Sequence, residues 1–262
     1  MGRVTRIVWD FDDIDAAATP QAHLDYLEKT EAFPPLAAVR EHTYAALPPG
    51  RGVDVGCGRG RAVADLTALG RPAVGVDRSD TMVRSARKRF PACEFTTGDA
   101  AALPFEDGSL DWYRAERTYL HIADPLRALA EARRVLRPGG TAVVADQDFD
   151  STVMASPDPA LTRTVVTALT DSMADGRAGT RMPALLAGAG FTDVTVHALA
   201  LAFSSLPPVE PLLIEPAEAV AVAAGVVSEA EARAWRGGLE RLDREGTFVV
   251  AMTMFVTTGR RP

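Results

Sequence analysis

The stretch GVDVGCGRGRAVADL, Gly52 to Leu66, sets Gly56, Gly58 and Gly60 at alternate positions between a valine-rich run and the start of a helical pattern. Glycine in such a turn permits positive φ and removes Cβ atoms that would strike a closely approaching ligand. In a doubly wound sheet the first strand-to-helix turn lies where ligands bind, at the carboxyl ends of the strands. A triphosphate loop needs Lys and then Ser or Thr after its last glycine, but Arg61 and Ala62 follow Gly60. Dinucleotide spacing counted from Gly56 calls for a third glycine at 61, which is arginine. Further groups able to do chemistry follow: Asp77 at the end of AVGVD, Asp99 in GDAAALPFEDGSLD, His121 in YRAERTYLHI, and Asp146, Asp148 and Asp150 in ADQDFD. On an extended chain the last three share one side. They suit a metal ion or a cationic acceptor, or are loop acids facing water with one forming a cap.

Short β-branched runs alternating with helical patterns must position these residues. Strands are predicted at 52 to 56, 73 to 77, 93 to 97, 110 to 114 and 141 to 146, as five repeats of strand then helix, the signature of a parallel sheet with helical crossovers. Ser79 or Asp80 is suited to cap SDTMVRSARKRF, and Asp124 followed by Pro125 opens DPLRALAEARRVL, which ends at RPGG. Helices are expected at about 157 to 174 and 181 to 189, then a strand in GFTDVTVHALALAF. A helix with capping-box spacing at Ser228 and Glu231 and a final strand in TFVVAMTMFVTTGRR follow. The fold class is therefore α/β, a doubly wound, mostly parallel seven-stranded sheet. One domain spans 1–262, with N-terminal helices in 1–48, a ligand-binding core in 50–150 and a late helical insertion in 204–246.

The pattern D-x-G-x-G-x-G from Asp54 resembles the first motif of the class I S-adenosylmethionine-dependent methyltransferases, and three further motifs fall in order across residues 50 to 150. The resemblance implies a Rossmann-like methyltransferase fold and S-adenosyl-L-methionine as cofactor. Asp77, 23 residues beyond Asp54, would grip the ribose hydroxyls beside Arg78, and charge-assisted bonds of that kind are worth about 1.5 to 3 kcal/mol each. Asp99 would lie near the adenine amino group, with the Ala100 N–H beside it, and LRPGG matches the turn before the fifth strand. Gly56, Gly58 and Gly60 would pass under the cofactor tail, and Asp54 would hold their turn by accepting backbone N–H groups or lie near the cofactor amine. Glu116 and Arg117 would wall the methionine end. His121 is a candidate base for the acceptor or a packed histidine, and Asp146 is a second catalytic candidate. HLDYLEKTEAFPPLAAVREHTYAAL resembles a helical lid, in which Tyr26 and Arg40 contact the cofactor or pack the lid. No metal is implied, because the Asp-Asn pair of magnesium-dependent catechol-type enzymes is absent.

Charge and composition narrow the partners. The 262 residues carry a formal charge of −7, with 47% hydrophobic and 24% charged residues, so the surface as a whole repels phosphate backbones and anionic lipid. Neither nucleic acid nor membrane is expected as a partner. RSARKRF, Arg84 to Phe90, reads as a solvated helix face, and MGRVTRIVWDFDDID meets acids where a secretion signal needs an apolar core, which argues for a cytoplasmic protein. Cys57 and Cys93 are expected as buried thiols rather than a disulfide framework. The Leu, Val, Ala and Pro content of 204 to 224 favours a compact organic acceptor. The expected activity is methyl transfer to O, N or C of a small metabolite by a monomer or homodimer. The alternatives are a methyltransferase fold that uses the cofactor structurally while catalysing a cyclisation or rearrangement, and a cofactor-binding protein without chemistry.

Overall fold

A computed structural model describes residues 14–16, 20–31 and 33–262. The acid-interrupted apolar stretch at the N-terminus and parts of the expected 1–48 helical region lie outside the described residues. Helices α1 (Pro20–Glu31) and α2 (Pro34–Ala46) precede the sheet. The alternating unit then runs β1 (Gly52–Val55), α3 (Arg61–Ala68), β2 (Ala73–Asp77), α4 (Asp80–Arg89), β3 (Glu94–Thr97), β4 (Leu110–Glu116), α5 (Pro125–Val135) and β5 (Leu136–Met154). After it come α6 (Pro159–Asp171), α7 (Ala178–Gly188), β6 (Thr192–Phe203), α8 (Leu206–Val209), α9 (Glu215–Ala223), α10 (Glu229–Arg244) and β7 (Val250–Arg260).

The seven strands form one sheet in the order β3-β2-β1-β4-β5-β7-β6. β1 to β5 pair in parallel, and β7 runs antiparallel to both β5 and β6. The order reverses between β1 and β4, and such a switch point opens a crevice beyond the strand ends. β1 is buried along its whole length, so it reads as a continuous apolar run rather than an alternation, apart from Asp54. One face of the sheet packs Val63, Leu66, Trp112, Val143 and Phe149 with α2, α3, α6 and the late helices. The other face packs Val53, Tyr113, Leu129, Val144 and Met182 with α5 and α7.

Local chemistry explains the helix starts. The Ser79 hydroxyl accepts from the Met82 N–H, Asp124 accepts from Arg127 with Pro125 following, and Ser228 with Glu231 completes a capping box. Two expectations are corrected. Between β3 and β4 there is no helix: the chain turns through a bridge between Asp99 and Ala102, because Pro104 and Gly108 interrupt any helical run. The LRPGG segment is drawn into β5, whose pairing with β4 shifts register between Leu110 and Trp112 to accommodate it. Cys57 is buried, whereas Cys93 is half-buried and lies just before β3.

Segment 204–246 lies between β6 and β7 as α8, a π-helical turn at Glu210–Ile214, α9 and α10. It closes on itself through Arg236, which pairs with Glu210 and Glu218, and docks on α6 through Trp235 Nε1 donating to Thr162 at 2.9 Å. Among the described residues no helix is long and apolar enough to cross a membrane.

Candidate active site

A cavity of about 490 Å³ opens over the carboxyl ends of β1, β2, β4 and β5. Cofactor sites of ordinary size fall in the range of roughly 300 to 1,000 Å³. Its floor is the turn after β1, where Gly56, Gly58 and Gly60 have φ of +70°, +50° and +82°. Two of these glycines are required by the protein's own packing: a Cβ on Gly56 would run into Thr118, and one on Gly60 into Phe95 and Ala86. Only Gly58 is open, with Leu27 Cδ1 at 3.4 Å as its nearest neighbour. Gly56 and Gly58 line the cavity, and Gly60 lies behind it.

The acid that holds this turn is Asp77 rather than Asp54. Asp77 accepts from the Gly58 N–H at 2.8 Å and the Ser79 N–H at 3.0 Å. Burial pushes its carboxyl up, and those two N–H groups and Arg78 pull against it. Each carboxylate oxygen keeps a second lone pair, so Asp77 can support the turn and still accept from a ligand hydroxyl. Arg78, Asp99 and Ala100 line the same end, and Asp99 also accepts from the Ala101 N–H at 2.8 Å.

Asp54 is buried under the floor and pairs with Arg114 on the neighbouring strand. Arg114 also pairs with Glu116, donates to Thr43 Oγ1 at 2.8 Å, and lies over the Tyr44 ring at 5.2 Å. The guanidinium is 2% exposed, so two carboxylates depend on one buried cation. Burial pushes the Asp54 carboxyl up while Arg114 pulls it down. Sequence reasoning missed Arg114, although a charge inside the apolar strand LDWYRAE is a readable signal.

At the other end stand Glu116, Arg117, Thr118 and His121, carried by the C-terminus of β4 and the 3-10 turn Tyr119–His121. Arg117 has φ of +52°, a left-handed conformation costly for a non-glycine residue, and its N–H donates to the Ala145 carbonyl at 2.8 Å. Tyr26, from α1, meets Arg117; burial pushes its phenol up to about 12, opposed by the Arg117 charge and hydrogen bond. Arg40 is buried, lines the cavity and donates to the Glu31 carbonyl at 3.0 Å. α1 is fastened over the floor by Arg59, which donates to the Leu24 carbonyl at 2.9 Å and pairs with Glu28. Near the mouth, Asp15 accepts from Ser79 Oγ and the N–H groups of Asp80 and Thr81 at the start of α4, and Ile14 beside it lines the cavity.

Asp146, Asp148 and Asp150, which lie within β5, share one side as the alternation implies, but that side faces away from the cavity. Asp148 accepts from Thr180 and Asp150 pairs with Arg177, while Gln147 and Phe149 between them line the cavity. Asp146 is fully buried and accepts from the Tyr119 N–H at 3.1 Å, fixing the turn that presents His121. Burial pushes the Asp146 carboxyl from its ordinary 3.8 up to about 8, with Glu116 acting the same way and backbone N–H groups of Tyr119 and Leu120 opposing. The folded state then holds a proton through that window which the unfolded chain releases, so stability falls as pH rises from about 4 to about 8. Asp146→Asn is expected to flatten this slope by roughly 1.4 kcal/mol per pH unit. Urea denaturation at several pH values reads it, and parallel slopes for the two proteins would show that Asp146 is ionised when folded.

Comparisons with known proteins agree with this geometry. Residues 53–144 match a family model described as a methyltransferase domain. An uncharacterized 37.1 kDa protein in transposon TN4556 of Streptomyces fradiae is 34% identical over 247 residues, covering 91% of this chain and 70% of that protein. A demethylmenaquinone methyltransferase of Renibacterium salmoninarum is 38% identical over 101 residues, 38% of this chain and 43% of its own length. The match therefore spans less than half of that enzyme. Among solved structures, a SAM-dependent methyltransferase of Thermotoga maritima aligns with a TM-score of 0.59 at 23% identity, over 93% of this chain and 97% of its own. That likeness concerns the fold.

Proposed function

The chain belongs to the class I S-adenosylmethionine-dependent methyltransferase family, and from that premise we propose that it moves a methyl group from S-adenosyl-L-methionine to an oxygen, nitrogen or carbon atom of a compact organic acceptor. The observation that carries the reading is the division of one cavity into two ends: the Asp77 carboxylate and an open glycine on one side, and a polar wall of Glu116, Arg117 and His121 on the other.

The residues present fit the cofactor. In this reading Asp77 receives the ribose hydroxyls, with Arg78 beside it; Asp99 and the Ala100 N–H border the adenine; and Gly58 lets the tail pass close to the backbone. Glu116, with Asp54 behind it, provides negative charge for the cofactor's amine, and Arg40, Arg117 and Tyr26 close the methionine end. The cofactor supplies a methyl group on a positively charged sulfur, so the acceptor's electron pair forms the new bond while the carbon–sulfur pair returns to sulfur. The protein mainly aligns the partners, and alignment is worth up to about 7 to 11 kcal/mol in favourable intramolecular comparisons.

His121 lines the cavity and is half-buried, where it would take the acceptor's proton. Its replacement by alanine is expected to slow turnover about 10²-fold or more with cofactor affinity nearly unchanged. Equal rates in single-turnover assays would remove it from the chemistry. The reading as a whole is tested by incubating the protein with methyl-labelled cofactor and a panel of hydroxylated and amino metabolites. Labelled product together with demethylated cofactor is the expected result; rearranged product with intact cofactor, or binding alone, would overturn it.

A further inference from the structure

The first three N–H groups of α4 are all taken by the chain's own side chains. Ser79 Oγ accepts from the Met82 N–H, while Asp15 accepts from the N–H groups of Asp80 at 2.8 Å and Thr81 at 3.0 Å. A helix start so occupied is closed to an anionic ligand, and Asp15 acts there as a fastening. It also accepts from Ser79 Oγ at 3.0 Å, and the Ser79 N–H in turn donates to Asp77. Burial, the largest influence on the Asp15 carboxyl, raises it, but the donors on Thr81, Asp80 and Ser79 together bring it down to about 2, so the fastening is charged at any neutral pH.

What this carboxylate holds in place is Ile14. Ile14 is 5% exposed, yet among the described residues it belongs to neither packed face of the sheet, and the same is true of Met82 at 1%. Both line the cavity at the end where Asp77 and Arg78 stand. Apolar side chains on a cavity wall gain by covering a flat apolar group placed against them.

We propose that Asp15 is a positioning residue for the cofactor: by tying residues 14–16 to the start of α4 it seats Ile14, together with Met82, against the nucleoside. The inference rests on the methyl-transfer reading and adds to it a carboxylate that acts on the cofactor without touching it. Losing the fastening frees Ile14 to swing off the wall, which opens the nucleoside to water and shortens the time it stays bound.

The probes are S-adenosylhomocysteine and 5′-methylthioadenosine, which carries the same nucleoside but lacks the amino-acid end. Stopped-flow displacement reads their dissociation rates, and the two are expected to respond alike. Asp15→Ala should release both about tenfold faster, and Asp15→Asn, which keeps one acceptor oxygen, should fall between it and wild type. Ile14→Ala should also release both about tenfold faster. Because Asp15 acts through Ile14, the double variant should lose no more than Ile14→Ala alone. Wild-type release rates in either alanine variant, losses that add in the double variant, or a loss confined to S-adenosylhomocysteine would overturn the proposal. Failure of the wild-type protein to bind either probe would instead overturn the methyl-transfer reading, before any variant enters the comparison.

Discussion

Arg114→Met is expected to destabilise the protein by about 3 to 5 kcal/mol and to abolish measurable cofactor binding. The arginine lies beneath the cavity floor with Asp54 on β1 and Glu116 on β4 as partners, all three nearly excluded from water. Methionine fills similar volume, so the loss is electrostatic: two carboxylates remain in a poorly hydrated space without their shared cation. They must then take up protons or draw in water, and either response displaces the ends of β1 and β4 that frame the cavity. The same substitution in an Asp54→Asn, Glu116→Gln background is expected to cost far less, because no charge is stranded. Urea denaturation of the four proteins measures the coupling. A single variant with wild-type stability would show that the three groups do not depend on one another.

For Asp77→Ala we expect the cofactor dissociation constant to rise at least tenfold. Two losses combine: the acceptor for the ribose hydroxyls, and the acceptor that holds the Gly58 and Ser79 N–H groups. Asp77→Asn separates them. It retains one carbonyl oxygen for the turn but presents an NH₂ group to the other N–H, so its binding should fall between wild type and alanine. Titration calorimetry with S-adenosylmethionine checks both. An unchanged constant for Asp77→Ala would remove the ribose assignment, and equal constants for the two variants would assign the loss to the missing carboxylate rather than to the turn.

The sequence made the sheet legible because its strands are short, apolar and separated by recognisable caps: Ser79, Asp124 and the Ser228–Glu231 pair all act where their types suggest. The glycine turn is likewise legible from its residue types, and the acids at 77 and 99 through the resemblance of their motifs to the family's; both acids line the cavity. What a linear reading could not supply is which side chain answers which. For Asp54 the sequence suggests backbone N–H partners or the cofactor amine, because the partner it has in the structure, Arg114, stands 60 residues away on an adjacent strand. The alternation of Asp146, Asp148 and Asp150 was correct, but period-two spacing does not say which face of the sheet holds the cavity, and Gln147 and Phe149 turned out to occupy it. The missing helix between β3 and β4 had a local sign in Pro104 and Gly108, outweighed by the regular rhythm of the units before it.

The fastening of α1 by Arg59 couples a helix to the loop it covers. Arg59 belongs to the glycine loop itself, so the ceiling over the methionine end and the floor beneath it are hinged at one residue. A motion that lifts α1 must therefore break the Leu24 and Glu28 contacts or carry the glycine loop with it.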